Sequence, residues 1–229
     1  MRHRVDLTRA PQFSRALRRW FERHGRALPW RETRDPYRVL VSEAMLQQTQ
    51  VSRVLEYYER FLKRFPTLEA LSRAAPKRVR ESWEGLGYYA RARNLHALSR
   101  QVSELPRDAE SLRELPGVGR YTAGAVASFA YEQREPLIDT NVARVLKRVF
   151  APRADFKTAR GQKKLWAIAE SILPKTGKQT WTHNQALMEL GALVCTARVA
   201  RCDKCPVRRY CSTGNGDRGT GKQGERQRR

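Results

Sequence analysis

Long apolar runs are missing from this sequence. No stretch approaches the roughly 18 consecutive apolar residues of a membrane-spanning helix. Met1-Arg2-His3-Arg4-Val5-Asp6 lacks the apolar core of a secretion signal. A soluble, cytoplasmic chain with no membrane partner is expected. Runs of alternating polar and apolar residues are also missing, which excludes an extensive sheet, and no fixed-period repeat stands out. Cysteine is scarce: there are four, none before Cys195. A disulfide framework would spread its cysteines through a small secreted domain, so that class is excluded. Acidic residues are outnumbered, with 23 Asp and Glu against 46 Lys and Arg, for a formal charge of +23.

What is present points to a folded nucleic-acid binder. At 229 residues and 40% hydrophobic content, the chain can bury a sizeable core. Its positive charge is spread along the sequence and favours a polyanion, because basic side chains that neutralise phosphates release condensed counterions. The pattern reads as all-α. Asp35-Pro36 has the form of a helix cap followed by proline at the first helical position, with Val39, Leu40, Glu43 and Leu46 on one face. Val51, Val54, Leu55, Tyr58, Phe61, Leu62 and Phe65 follow helical spacing, with Thr49 as the expected cap. Further helices are expected at about 68–75, 77–84, 89–104, 140–150, 160–173 and 181–194, and another after the turn at 115–119. The stretch 214–229 is Gly-rich and basic and reads as a disordered tail.

Four features carry chemistry. Cys195, Cys202, Cys205 and Cys211 follow C-x6-C-x2-C-x5-C. So compact a thiolate set suits either zinc or a [4Fe–4S] cluster, and the spacing does not choose between them. Leu115-Pro116-Gly117-Val118-Gly119 joins two helices, where glycines allow close backbone approach and the following helix N-terminus suits a phosphate. Asp139 opens a helix after an apolar pair, as a capping residue or as a carboxylate that stabilises a developing cation. Glu43 lies on the apolar face of its helix; burial there would raise its pKa and suit it to general-acid work, while a buried ion pair is the other reading. Gly87-Tyr88-Tyr89-Ala90-Arg91-Ala92-Arg93-Asn94 sets aromatics beside arginines, as base stacking with phosphate contact requires.

Together these segments resemble the helix–hairpin–helix DNA glycosylases, the superfamily that includes endonuclease III. Within it they are similar to the MutY-type adenine DNA glycosylases. The residues that carry the resemblance are Leu28-Pro29-Trp30-Arg31, Ser42-Glu43-Ala44-Met45-Leu46-Gln47-Gln48-Thr49-Gln50, Gly85 to Leu95, Leu115 to Ala125, Asp139-Thr140-Asn141-Val142, Asn184 to Gly191 and the four cysteines. The resemblance covers roughly residues 12 to 212. It implies two helical lobes with the active site in the cleft between them: a six-helix barrel with the helix–hairpin–helix at 28–134, and a cluster domain made of 1–27 plus 135–213. It implies a [4Fe–4S] cluster on Cys195, Cys202, Cys205 and Cys211, and a monomeric, nucleoid-associated enzyme acting on duplex DNA that contains a mismatched base.

The resemblance also implies roles. Gln48 and Tyr88 would wedge into the duplex, Arg31 and Glu189 would line the base pocket, and Gly117, Val118 and Gly119 would grip the DNA backbone. Glu43 would protonate adenine at N7, Asp139 would stabilise the deoxyribose cation, and Asn141 would hold Asp139. Tyr121 occupies the position of the endonuclease III lysine, so a monofunctional glycosylase without strong strand cleavage is expected. Thr140 departs from the glycine usual after the aspartate. The short stretch after Cys211 leaves no room for the C-terminal domain that reads 8-oxoguanine. The compact thymine and uracil mismatch glycosylases are the alternative, since they too carry tyrosine at that position. A noncatalytic iron–sulfur DNA binder is a further alternative, but a pure binder needs neither carboxylate.

Overall fold

Asp35 fixes the start of a largely buried helix of the larger contact unit. Its carboxylate accepts from the Tyr37 and Arg38 amides at 2.8 and 3.1 Å, and Pro36 takes the first helical position, as expected from sequence. The computed structural model describes residues 7–214; beyond Gly214 the expected tail lies outside the described residues. Among those residues the chain is all-helical, with α1 (Ala10–His24), α2 (Pro36–Leu46), α3 (Val51–Arg64), α4 (Leu68–Ser72), α5 (Pro76–Ser82), α6 (Ala90–Ser99), α7 (Ala109–Arg113), α8 (Arg120–Tyr131), α9 (Thr140–Phe150), α10 (Ala159–Ser171) and α11 (Gly177–Leu193). The sole β pairing among them is an isolated bridge between Cys195 and Ala200. No described helix is long and apolar enough to cross a membrane.

Contacts divide the chain into two units. The larger takes Gly25–Leu137 and Leu173–Asn184. In it α2 packs against α3, α6 and α8, and its run Val39 to Met45 is buried on all sides. Helix α3 is amphipathic, turning Val54, Tyr58, Phe61 and Leu62 inward. Leu55, expected inside, is 40% exposed. The α3 cap is Gln50 with no side-chain hydrogen bond, in place of the expected Thr49. Phe61 meets Trp83 and Phe65 edge-on, at 5.7 and 5.0 Å between ring centres. Helix α8 is small-residue-rich and buried from Thr122 to Ala130. Leu173–Asn184 joins this unit because Asn184 Nδ2 donates to Ser128 Oγ and to the Glu135 carbonyl, and Arg134 donates to the Pro174 carbonyl. Sequence reading had grouped that segment with the cysteines.

The second unit takes the N-terminal residues through His24, Ile138–Ile172 and Gln185 onward. Its core brings Phe13, Leu17 and Trp20 of α1 against Val142, Val145, Leu146 and Val149 of α9, Leu165 and Ile168 of α10, and Leu187 and Leu190 of α11. Phe13 packs edge-on against Phe150 at 5.1 Å. The chain beyond α11 is pinned back onto α9: the Ser212 and Thr213 amides donate to the Val149 and Arg148 carbonyls.

Candidate functional site

Glu43 stands in the last two turns of α2 and is 3% exposed. Its neighbours along the helix are apolar or small, so a carboxylate here is bought by no surface role. Just beyond it, α2 ends at Leu46, and Gln48 takes a left-handed backbone with φ 57°. Tyr88 does the same with φ 48° and is 60% exposed. Such backbones persist in residues other than glycine when their surroundings over-determine them.

Here the surroundings are Arg91, which the sequence sets among the arginines expected to contact phosphate but which is buried on the protein's own acceptors. Its Nη1 lies 2.6 Å from the Met45 and Gln47 carbonyls and 3.0 Å from the Ala44 carbonyl and Thr49 Oγ1. Nη2 donates to the Leu86 and Gly87 carbonyls at 3.1 and 3.0 Å, and Nε to the Tyr88 carbonyl at 3.4 Å. The signal was available, because Arg91 shares a helical stripe with the buried Leu95 and Leu98.

Elsewhere in this unit, Arg31 Nη1 donates to the Arg26 carbonyl at 2.9 Å. Tyr121 is half-buried in the first turn of α8, whose cap, Gly119, offers no side-chain acceptor. In the hairpin, Gly117 has φ 74°, and a Cβ there would come within 2.6 Å of Asn94 Cβ, so glycine is required. The Val118 amide is used internally, donating to the Leu115 carbonyl at 3.1 Å, and the Val118 side chain is buried. Gly117 and Gly119 are exposed.

In the second unit, Asp139 caps α9. Its Oδ1 accepts from the Val142 amide, and its Oδ2 accepts from Asn141 Nδ2 at 3.2 Å. Arg144, one turn on, donates from Nη2 to Asn141 Oδ1 and to the Gly191 carbonyl, both at 2.7 Å, and from Nε to the Cys195 carbonyl at 2.8 Å. Gly191 lets α11 meet α9 closely: a Cβ on it would lie 2.6 Å from Asn141 Cβ. Glu189 on α11 is fully buried. Glu43 and Asp139 thus belong to different units.

Cys195, Cys202, Cys205 and Cys211 line one cavity of about 300 Å³, together with Arg148 and Val207. Arg148 Nη1 donates to Cys195 Sγ at 3.3 Å, and the Gly214 amide donates to Cys211 Sγ at 3.3 Å. Burial pushes the Cys205 thiol up to about 11, with the neighbouring cysteines adding to the shift, and it pushes Cys211 up as well. A ligand that turns these thiols into thiolates must displace their protons. Among the described residues no three His, Cys, Asp or Glu side chains converge on a single-ion position. The thiols line a shared volume, and Arg148 is the arginine that donates to one of them, Cys195 Sγ.

Comparison with known proteins agrees with this architecture. Residues 41–171 match the HhH-GPD superfamily of base excision DNA repair proteins. The chain is 43% identical over 220 residues to an adenine DNA glycosylase of Rattus norvegicus, a match covering 90% of this chain and 42% of that relative's length. It is similar to the structure of a thermostable thymine-DNA glycosylase, with a TM-score of 0.83 and 28% identity over 92% of this chain and 99% of that one. It also shares the fold of an endonuclease III–DNA complex, with a TM-score of 0.77 and 23% identity over 93% of this chain and 98% of that one. On the span and position of the superfamily match, this chain belongs to the HhH-GPD superfamily of base excision DNA repair proteins.

Proposed function

We propose that the chain is a monofunctional DNA glycosylase that hydrolyses the N-glycosidic bond of adenine mispaired with guanine or 8-oxoguanine in duplex DNA, acting as a monomer at the nucleoid. The observation that carries this reading is Glu43, a carboxylate held at 3% exposure on the buried face of α2. Identity of 43% to an adenine glycosylase, against 28% to the thymine enzyme, supports adenine as the base.

The chemistry follows from what base removal demands. The nucleotide must leave the stack, with Gln48 and Tyr88 filling the gap and Arg31 and Glu189 meeting the base. The exposed Gly117 and Gly119 and the uncapped start of α8 suit contact with backbone phosphate. Glu43 gives its proton to adenine N7. The bond between the sugar C1′ and adenine N9 breaks, its electron pair leaving with the base. Asp139, oriented by Asn141, stabilises the resulting sugar cation. Water adds to C1′ and loses a proton to Glu43, which restores the acid. Two carboxylates thereby divide the work as in glycoside hydrolysis. Tyr121 offers no amine, so no imine forms with the sugar.

The four cysteines would hold a [4Fe–4S] cluster. Four cysteines lining one cavity with arginines beside them suit a polynuclear anionic cluster held by four thiolates. When bound, the cluster would cross-link the loop that presents Arg198, Arg201 and Lys204.

The test is a panel of duplexes containing A:G, A:8-oxoguanine, T:G, U:G or matched pairs, each treated with alkali after incubation. Alkali-dependent cleavage from the two adenine mispairs, with no borohydride-trapped adduct, is the expected result. Product from T:G or U:G alone would replace adenine with thymine or uracil. Binding without product would leave a noncatalytic DNA binder.

A further inference from the structure

We propose that Arg91 is a positioning residue that sets Gln48 and Tyr88 in one register with the helix bearing Glu43. The inference rests on the wedge roles given above. It deepens them by naming what holds the wedges.

A helix leaves its last carbonyls without intrahelical partners, and a cation there is favoured by the helix dipole. Helix α2 has no basic residue in its own last turn. Arg91 supplies that charge from α6, reaching the carbonyls of Ala44, Met45 and Gln47 and the hydroxyl of Thr49. The other side of the same guanidinium takes the carbonyls of Leu86, Gly87 and Tyr88. The guanidinium donates to backbone carbonyls and to one hydroxyl.

One planar group therefore joins the segment around Gln48 to the segment around Tyr88. Both of those residues stand at positive φ. Arg91 is 8% exposed and lies 5.4 Å from the Trp83 ring centre, so the fork is itself held in place. A guanidinium presents five donors in a fixed plane; an ammonium is a point charge that cannot span both segments. Losing the fork frees each wedge to relax separately.

The test uses the full chain with Arg91→Gln and Arg91→Lys. Lysine keeps a charge under the α2 carbonyls, so it decides the matter if the glutamine variant does not fold. The first readout is fluorescence of 2-aminopurine placed beside a mismatch, which rises when the stack opens and requires no base removal. The second is single-turnover excision from a mismatched duplex and from a duplex whose target base is an unpaired bulge. Both variants should lose most of the fluorescence rise. Excision from the paired duplex should fall about a hundredfold, and from the bulge by less than about tenfold.

Equal losses on the two substrates, or a wild-type fluorescence rise in both variants, would overturn the inference. A wild-type chain that opens the stack but releases no base would overturn the glycosylase reading and leave Arg91's role standing. A wild-type chain that opens no stack would overturn the inference itself.

Discussion

Asn141 Nδ2 donates to Asp139 Oδ2 across 3.2 Å, while the other oxygen of the same carboxylate caps α9. Asp139 is therefore the helix cap that its sequence position announces, and its carboxylate is held in one orientation, as the proposed cation-stabilising role requires. Arg144 fixes Asn141 in turn, at 2.7 Å.

The two roles of Asp139 separate by substitution. Asparagine caps helices nearly as well as aspartate, so Asp139→Asn should change stability by less than about 1 kcal/mol. Excision should fall at least about a hundredfold, since the stabilising charge is gone. Asp139→Ala should lose both. Thermal melting beside single-turnover kinetics checks this, and a normal rate in the asparagine variant removes Asp139 from the chemistry.

Glu43→Gln keeps the shape of a buried side chain but cannot deliver a proton. Mismatch binding should be retained within about threefold, while excision falls about 10²–10⁴-fold. Gel-shift titration and single-turnover rates measure the two effects. Near-normal turnover would assign the acid elsewhere.

Gly191→Ala adds a methyl group where Asn141 Cβ lies 2.6 Å away. The start of α9 must move, at a cost of about 1–3 kcal/mol. Asp139 moves with it, so excision should fall by more than the loss of folded protein explains. Rates normalised to the folded fraction from a melting curve decide the point.

The purified chain should carry about four iron and four sulfide per molecule, with visible absorbance lost on Cys202→Ser. About one zinc per molecule would reverse the assignment. Removing iron should weaken DNA binding while helical circular dichroism persists, because hydrogen bonds from Arg144 and Arg148 tie the Cys195 carbonyl to α9.

Much of this fold could be read from sequence, for reasons visible in particular residues. Asp35 and Asp139 announced their helices because a side-chain acceptor at a cap is a local feature, and α9 runs Thr140–Phe150 as expected. Thr49 misled because the chain turns through Gln48 and Gln50 before α3 begins. The short α7 was missed, having only Asp108 as its cap and a single buried leucine, Leu112. Helix α6 was expected to reach residue 104 but stops at Ser99, where the Gln101 amide turns back to the Leu98 carbonyl.

At the site, Glu43 was legible because a carboxylate in an apolar stripe needs a reason. The burial of Arg91 was legible from its stripe with Leu95 and Leu98, but its partners were not, because they are mostly backbone carbonyls, and carbonyls leave no trace in sequence. The left-handed backbones of Gln48 and Tyr88 were hidden for the same reason: neither is a glycine. The cysteine spacing left zinc and cluster open, and the shared cavity of the four thiols suits the cluster.

Helix α6 carries Arg91 in its first turn and, three residues later, the Asn94 that Gly117 packs against. The residue that seats the hairpin and the residue that holds the wedge loops are thus three positions apart, about 4.5 Å along one rigid rod. That rod works as a ruler. If the hairpin grips a phosphate and the wedge residues open the stack as proposed, the opened step lies at a fixed distance from that phosphate, set without reading a single base.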